Sequence, residues 1–276
     1  GVADHEIIAM NHSFHGRSIG ALSVTGNAHY QDPFKPLVSG IKFAEFNNLD
    51  SVKALFSDKT CAVIMETIQG EGGIQPLDPE FVWNMGRIAK EHDIVLIADE
   101  VQCGNGRSGK LYAYMNYAVQ PDVVTTAKGI GGGLPIGAVL MNEKVAEGMG
   151  PGSHGSTFGG NPVVCAGANV VVDRLDQSFL AQVSERAVQL RTGLAKLPHV
   201  KNISGIGLMV GIEFFDVQAA DVLAACREKG LLVLTAKTRL RLLPPLTLTA
   251  HDVEMALTIL NEVLSEMAQK SPEEQA

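Results

Sequence analysis

Reactive side chains follow two apolar segments of the sequence, at the points where each segment ends. Asp99 and Glu100 come directly after the apolar run 94–98, and Lys128 follows the segment 122–126. If these segments are neighbouring strands of a parallel sheet, the three side chains lie at its carboxyl edge, where open α/β sheets bind their ligands. A lysine with apolar surroundings can lose its proton and become a nucleophile. The alternatives are a surface acid and a solvated lysine, and both are common.

Two glycine-rich stretches flank these side chains. Residues 104–109 match the dinucleotide-binding pattern G-x-G-x-x-G, which raises the hypothesis of a nicotinamide-dependent oxidoreductase. The match begins beyond the strand tip, and the next strand leads to Lys128 instead of an acid, so we interpret it as fortuitous. Residues 150–162 place glycines and hydroxyls ahead of a helix, which suits a phosphate group or an ordinary loop. A magnesium-binding acid would need the pattern G-x-x-x-x-G-K-[ST], which the sequence lacks.

The composition argues against several classes of partner. The net charge is −8 and no basic stripe occurs, so we expect no binding to nucleic acid or anionic membrane. No apolar run approaches the roughly 20 residues of a bilayer span, and the first residues do not resemble a signal peptide. The four cysteines are far apart, which indicates free thiols and a cytoplasmic location. His12 and His15 have no acidic cluster beside them, so we predict loop histidines and no metal site.

The hydrophobic pattern predicts an α/β protein with a mostly parallel sheet. Segments 60–66 and 94–98 are expected strands, and between them Asp78 and Pro79 open a helix, which makes a βαβ unit. Further strands are predicted at 122–126, 137–141, 207–214 and 231–234, and further helices at 163–175, 179–197 and, from a capping box at Thr249, to 267. We place a boundary near Asp173, between a large domain (1–172) and a small C-terminal α+β domain (173–276).

Five motifs, in this order and spacing, resemble the class III (fold type I) PLP-dependent aminotransferases. Within that family the resemblance is to the acetylornithine aminotransferase group, which includes the succinylornithine and succinyldiaminopimelate enzymes. It covers nearly the whole chain, except that the family's N-terminal portion, with a phosphate-binding helix, is absent. The motifs are Ser13-Phe14-His15-Gly16-Arg17, Ile68-Gln69-Gly70-Glu71-Gly72-Gly73, Asp99-Glu100-Val101-Gln102-Cys103-Gly104, Thr126-Ala127-Lys128-Gly129 and His154-Gly155-Ser156-Thr157-Phe158-Gly159-Gly160-Asn161-Pro162.

The resemblance implies a pyridoxal 5′-phosphate (PLP) site. Lys128 would form the Schiff base and shuttle the proton, and Asp99 would pair with the pyridine nitrogen. Val101 and Phe14 would pack on the two ring faces, and Gln102 would reach the ring hydroxyl. Thr157 would bind the phosphate group of the cofactor held in the neighbouring subunit, which implies a homodimer.

The resemblance also implies substrate contacts. Arg17 and Ser156 would meet polar groups of the substrate, and Glu71 would pair with Arg241. The implied activity moves the terminal amino group of N-acetylornithine to 2-oxoglutarate, in arginine biosynthesis. Other ω-amino donors (ornithine, succinylornithine, succinyldiaminopimelate, 4-aminobutyrate), an aminomutase and a non-catalytic fragment remain alternatives. Thr67 departs from the family, since many relatives have proline there, and we expect it to free the backbone of that turn.

Overall fold

A computed structural model describes residues 4–269. The strands are β1 (Glu6–Met10), β2 (Ile41–Ala44), β3 (Thr60–Met65), β4 (Ile68–Gln69), β5 (Gln75–Pro76), β6 (Val95–Asp99), β7 (Val123–Thr126), β8 (Ala138–Met141), β9 (Val200–Ser204), β10 (Val210–Phe214), β11 (Leu234–Ala236) and β12 (Arg239–Leu242). The α-helices are α1 (Ile19–Ser23), α2 (Ala28–Gln31), α3 (Leu49–Leu55), α4 (Pro79–Glu91), α5 (Glu143–Ala146), α6 (Pro162–Arg174), α7 (Gln177–Leu194), α8 (Ala219–Glu228) and α9 (Ala250–Gln269). Short 3₁₀ helices cover Asp32–Phe34, Ala113–Asn116 and Lys128–Gly131.

The larger sheet brings the predicted strand ends to one edge. Its six strands run in the order β2-β1-β3-β6-β7-β8, and all of the neighbouring pairs are parallel except β7 and β8. In the register of β6 and β7, Asp99 lies opposite Thr125. Lys128 follows β7 by two residues, so it reaches the same edge as Asp99. The prediction of a mostly parallel sheet with the two side chains at its carboxyl edge is confirmed.

Helix α4 closes the predicted βαβ unit between β3 and β6. Pro79 occupies the first turn, where its missing N–H is not needed. Asp78 is the N-cap residue, as predicted, although its carboxylate makes no cap hydrogen bond; its backbone N–H donates to Asn47 Oδ1 at 2.9 Å. The apolar face buries Phe81, Met85 and neighbouring residues against the core of the large sheet. Burying each such side chain contributes roughly 1.5–3 kcal/mol.

The second sheet is antiparallel, with the strand order β11-β12-β10-β9, and packs against α7, α8 and α9. The capping box at the start of α9 is confirmed, because Asp252 accepts from the Thr249 N–H at 2.8 Å and donates its own N–H to Thr249 Oγ1 at 3.2 Å. The strand predicted at 231–234 is wrong. Leu231 N–H donates to the Cys226 carbonyl and prolongs the turn after α8, so β11 begins only at Leu234.

Among the described residues, the two largest hydrophobic clusters accompany the two sheets, and a smaller cluster joins the β4–β5 hairpin to the small sheet. One of the two largest clusters lies between the large sheet and α4, and the other lies between the small sheet and α7 to α9. This separation supports the division into residues 1–172 and 173–276, which stays a prediction, and the boundary falls at the end of α6. Within residues 4–269, no helix combines the length and hydropathy that a membrane crossing requires.

Candidate active site

Asp99 is a buried carboxylate with a full set of partners at the tip of β6. It is 6% exposed, and its Oδ1 accepts from Val101 N–H and from Thr125 Oγ1, both at 3.0 Å. Its Oδ2 lies 2.7 Å from Nδ1 of His15, whose side chain is 2% exposed. An ionised carboxylate can only accept, so the His15 ring donates. Oδ2 keeps a free lone pair for one more cationic donor.

The interpretation of His15 as an ordinary loop histidine is wrong. Its backbone N–H donates to Thr25 Oγ1 at 2.9 Å, which orients the residue toward Asp99 from across the site. The contact joins residues 84 positions apart in sequence, so no local pattern announces it. This contact holds the side chain of Asp99 in place at the tip of β6.

Lys128 lies on a backbone that its neighbours hold in an uncommon conformation. Its φ angle is 49°, in the left-handed region that few non-glycine residues adopt. Asn105 accounts for this, because its side-chain amide donates to Thr126 Oγ1 at 3.0 Å and to the Ala127 carbonyl at 3.1 Å. The side chain of Asn105 also leaves only 3.1 Å for a Cβ at Gly129, so a larger residue there would crowd it.

The loop 104–109 is therefore structural and does not bind a dinucleotide. It continues as turns and opens no α-helix, which a phosphate-binding glycine loop requires. Arg107 donates to the backbone carbonyls of Leu208 and Pro244, and burial lowers the pKa of its guanidinium to about 10. Asn105 and Arg107 thus tie the loop to the lysine on one side and to the small sheet on the other.

A cleft of about 610 Å³ opens beside these residues. Val101, Gln102 and Lys128 line it, together with Arg107 and residues of α6 and the segment after β12. Gln102 Oε1 is a buried acceptor without a hydrogen-bond partner. Gly70 makes this position possible, since a Cβ there would lie 1.7 Å from Gln102 Oε1. The cleft therefore presents the amine of Lys128 beside Gln102, whose buried acceptor has no partner among the described residues.

Phe14 is held at the site by a second buried acid, Glu66, which the sequence analysis missed. Glu66 is 5% exposed, and its carboxylate accepts from Phe14 N–H at 2.9 Å and from Gly70 N–H at 3.1 Å. Burial raises the pKa of Glu66 to about 7, and the charge of Asp99 adds to that rise, while His15 and the two N–H groups oppose it. Its place directly after β3, with the apolar run before it, is the signal that could have indicated it.

Glu71 and Arg241 form the ion pair that the resemblance implies. Arg241 Nη1 donates to Glu71 Oε1 at 2.7 Å, and the side chains are 11% and 30% exposed. Glu71 lies in the turn of the β4–β5 hairpin, and Arg241 lies in β12, so the pair joins the hairpin to the small sheet. Arg239 strengthens the junction, because it donates to the Gly73 carbonyl at 3.0 Å.

Glu100 is a structural acid and faces away from the cleft. It is fully buried and accepts from the N–H groups of Ala113 and Tyr114 at 2.7 and 2.8 Å. Thr67 adds its hydroxyl at 3.1 Å. The expectation that Thr67 merely frees the turn is therefore wrong: its side chain satisfies a buried carboxylate whose pKa burial raises.

Ser156 and Thr157 do not join this cluster within one chain. Both are exposed, and Ser156 Oγ accepts from Gly159 N–H at 3.1 Å inside its own loop. Arg17 is also exposed and lies beside Phe14. Residues 4–269 contain no group of three His, Cys, Asp or Glu side chains that could hold a metal ion.

The raised pKa of Glu66 makes a prediction about stability. Between pH 4.5, the ordinary pKa, and about pH 7, the folded state keeps the Glu66 proton while the unfolded state loses it. The stability that the protonated side chain contributes is therefore complete below pH 4.5 and is lost as the pH rises to about 7. Glu66→Gln cannot ionise. We subtract the free energy of unfolding of the wild type from that of Glu66→Gln at each pH. We expect this difference to increase by on the order of 3 kcal/mol between about pH 4 and pH 8.

Urea unfolding at the two pH values measures this difference. Glu254→Gln, at an exposed position of α9, is the matched control and should run parallel to the wild type. A Glu66→Gln curve parallel to the wild type at both pH values would contradict the prediction.

Comparison with known proteins gives the chain its family. Residues 2–264 match the aminotransferase class-III family. The chain is 46% identical to the acetylornithine aminotransferase of Haemophilus ducreyi, over 95% of this chain and 67% of that protein. It is 43% identical to the mitochondrial acetylornithine aminotransferase of Debaryomyces hansenii, over 96% of this chain and 59% of that protein.

Among solved structures, the ornithine aminotransferase of Toxoplasma gondii, described with partial occupancy of PLP at its active site, superposes with a TM-score of 0.90. It is 29% identical, and the match covers 98% of this chain and 67% of that one. The chain therefore spans 59% to 67% of the length of these three proteins. With this match and the site geometry together, the chain belongs to the class-III aminotransferases, which depend on PLP.

Proposed function

We propose that this chain is the greater part of an aminotransferase that moves the terminal amino group of N-acetylornithine to 2-oxoglutarate, in arginine biosynthesis. One observation carries the proposal: buried, hydrogen-bonded Asp99 ends β6, while exposed Lys128 follows the adjacent strand β7 at the same sheet edge and lines the cleft there. Both relatives named acetylornithine aminotransferase support the choice of donor. A cytoplasmic location accords with the four free cysteines.

The side chains fit PLP. Lys128 would hold it through its amine, and Asp99 Oδ2 would accept from the pyridine nitrogen with the lone pair that His15 leaves free. The unpaired Gln102 Oε1 fits the ring hydroxyl, and Val101 and Phe14 would pack on the ring faces. When bound, PLP supplies the electron sink that makes the substrate C–H bond acidic.

The chain's own groups then have separate tasks. Lys128 Nζ moves the proton at the substrate carbon that bears the amine. Asp99, held in place by His15, would keep the pyridine nitrogen protonated. Because Asp99 is buried, this charge acts in a medium of low effective dielectric, where it is stronger than in water.

Arg17, Ser156, Glu71 and Arg241 would bind the substrates. N-Acetylornithine has one carboxylate, which lies far from the reacting amine, whereas 2-oxoglutarate has a second carboxylate beside the reacting carbon. We propose that Glu71 neutralises Arg241 for the first substrate and releases it for the second. Leaving Arg241 unpaired would be costly, because its side chain is only 11% exposed.

Ornithine is the second candidate donor. The Toxoplasma gondii relative of high structural similarity carries that name. A direct comparison of N-acetylornithine and ornithine as donors, with the protein in its full-length form, separates the two.

Lys128 is expected to be the site of cofactor attachment. With PLP present, borohydride reduction should fix the cofactor covalently, and peptide mapping should find it on Lys128. Lys128→Ala, with the matched control Lys110→Ala on an exposed position, should lose the labelled peptide and nearly all transamination. Label on a different lysine would refute the proposed function, and so would a wild-type protein that takes up no PLP.

The switch proposed for Glu71 and Arg241 predicts opposite effects on the two half-reactions. Glu71→Gln should slow the N-acetylornithine half-reaction more than the glutamate half-reaction, by roughly tenfold or more, since Arg241 then stays buried and unpaired. Arg241→Ala should show the reverse order. Single-turnover absorbance measures each half, and exposed Glu80→Gln is the control. Equal losses in both halves for both variants would remove the support for a switch.

We further propose a homodimer in which Ser156 and Thr157 serve the partner's site. Their loop is exposed in one chain, and Phe158 beside them is 83% exposed. Thr157→Val should weaken PLP binding, since it loses a hydroxyl donor to the phosphate, while Thr258→Val on exposed α9 should not. Sedimentation of the full-length holoenzyme should show an active dimer, and an active monomer at high dilution would contradict this.

A further inference from the structure

Arg17 lies over two aromatic rings. The guanidinium carbon lies 4.0 Å from the centroid of the Tyr30 ring and 5.6 Å from that of Phe14. In the described part of the chain, Arg17 makes no ion pair and no hydrogen bond with protein. Its N–H groups therefore have no acceptor within the described residues.

Tyr30 is itself fixed in place from two sides. Its ring meets Phe14 edge to face, with the centroids 5.5 Å apart and the planes at 79°. It lies in α2, which Asn27 caps by accepting from His29 N–H at 3.1 Å. Gln31 ties the same helix to α1, because its side-chain amide donates to the carbonyls of Leu22 and Ser23 at 3.1 and 3.2 Å.

Stacking and carboxylate binding use different parts of a guanidinium group. An aromatic ring attracts the cation through its face, whereas a carboxylate binds two N–H groups along the edge. A ring beneath Arg17 therefore does not compete with a carboxylate. It removes much of the rotamer freedom that a solvent-exposed arginine would otherwise lose on binding.

We propose that Tyr30 is a specificity-determining residue, which presents the edge of Arg17 to substrates that carry a carboxylate away from the reacting amine. The inference rests on the proposed function and adds the residue that sets this preference. Arg17 lies over Tyr30, and Tyr30 meets Phe14 edge to face, so these contacts link the proposed carboxylate site to the ring expected to pack on the cofactor.

The test compares two amine donors that differ only in the carboxylate, N-acetylornithine and N-acetylputrescine. In Tyr30→Leu, the ratio of their kcat/KM values should fall about tenfold toward the value of Arg17→Gln, mainly through KM, given the usual strength of such contacts. Tyr30→Phe keeps the ring and should hold the ratio within about twofold of the wild type. Calorimetry with glutarate, an unreactive dicarboxylate, measures binding without turnover. Its Kd should increase in Tyr30→Leu and Arg17→Gln and stay close to the wild-type value in Tyr30→Phe.

The outcomes separate the inference from the proposed function. If Arg17→Gln lowers the ratio and folded Tyr30→Leu does not, the role of Tyr30 is wrong and the substrate site stands. If Tyr30→Phe lowers the ratio of kcat/KM values as much as Tyr30→Leu, the aromatic ring does not set the preference and the inference fails. If Arg17→Gln leaves the ratio unchanged, the substrate assignment of Arg17 itself fails.

Discussion

The burial of carboxylates at one edge of the large sheet is the constraint on which the site depends. Glu66, Asp99 and Glu100 follow β3 and β6 and are between 0% and 6% exposed. An ionised group removed from water costs several kcal/mol unless donors surround it. The donors come from segments distant in sequence, Phe14 and Gly70 for Glu66 and His15 and Thr125 for Asp99. Satisfying these acids therefore fixes the loops that carry the chemistry.

The same hydrogen bonds link the cofactor and substrate parts of the site. Glu66 holds both the loop of Phe14 and the hairpin of Glu71, so the two cannot shift independently. The hairpin in turn contacts Arg239 and Arg241 of the small sheet, and Arg107 reaches that sheet from the other side. The ion pair between Glu71 and Arg241 is thus carried on a hydrogen-bonded frame, which suits the proposed switch between two substrates of different charge.

Much of the fold could be predicted from the sequence, because its signals are local. Apolar runs at 60–65 and 95–99 and the Asp78–Pro79 helix start lie within one βαβ unit, whose handedness and edge follow from general rules. Less could be predicted where pairing is long-range. β1, β2 and β9 are only four or five residues long, and the edge strand β8 runs antiparallel to β7 because of a register that only the assembled sheet shows.

By itself, the sequence determined which residues could act: Lys128 and Asp99 at strand ends, the Gly-rich loops, and an acid and an arginine in recognisable motifs. The tertiary structure decided what each contacts. It brought His15 onto Asp99, turned Glu100 inward to Ala113 and Thr67, made Asn105 a support for the lysine backbone, and laid Arg17 on Tyr30. The physical reason is that buried polar groups need partners in space, and the partners named here lie 13 to 84 residues away in the chain, beyond the reach of any local pattern.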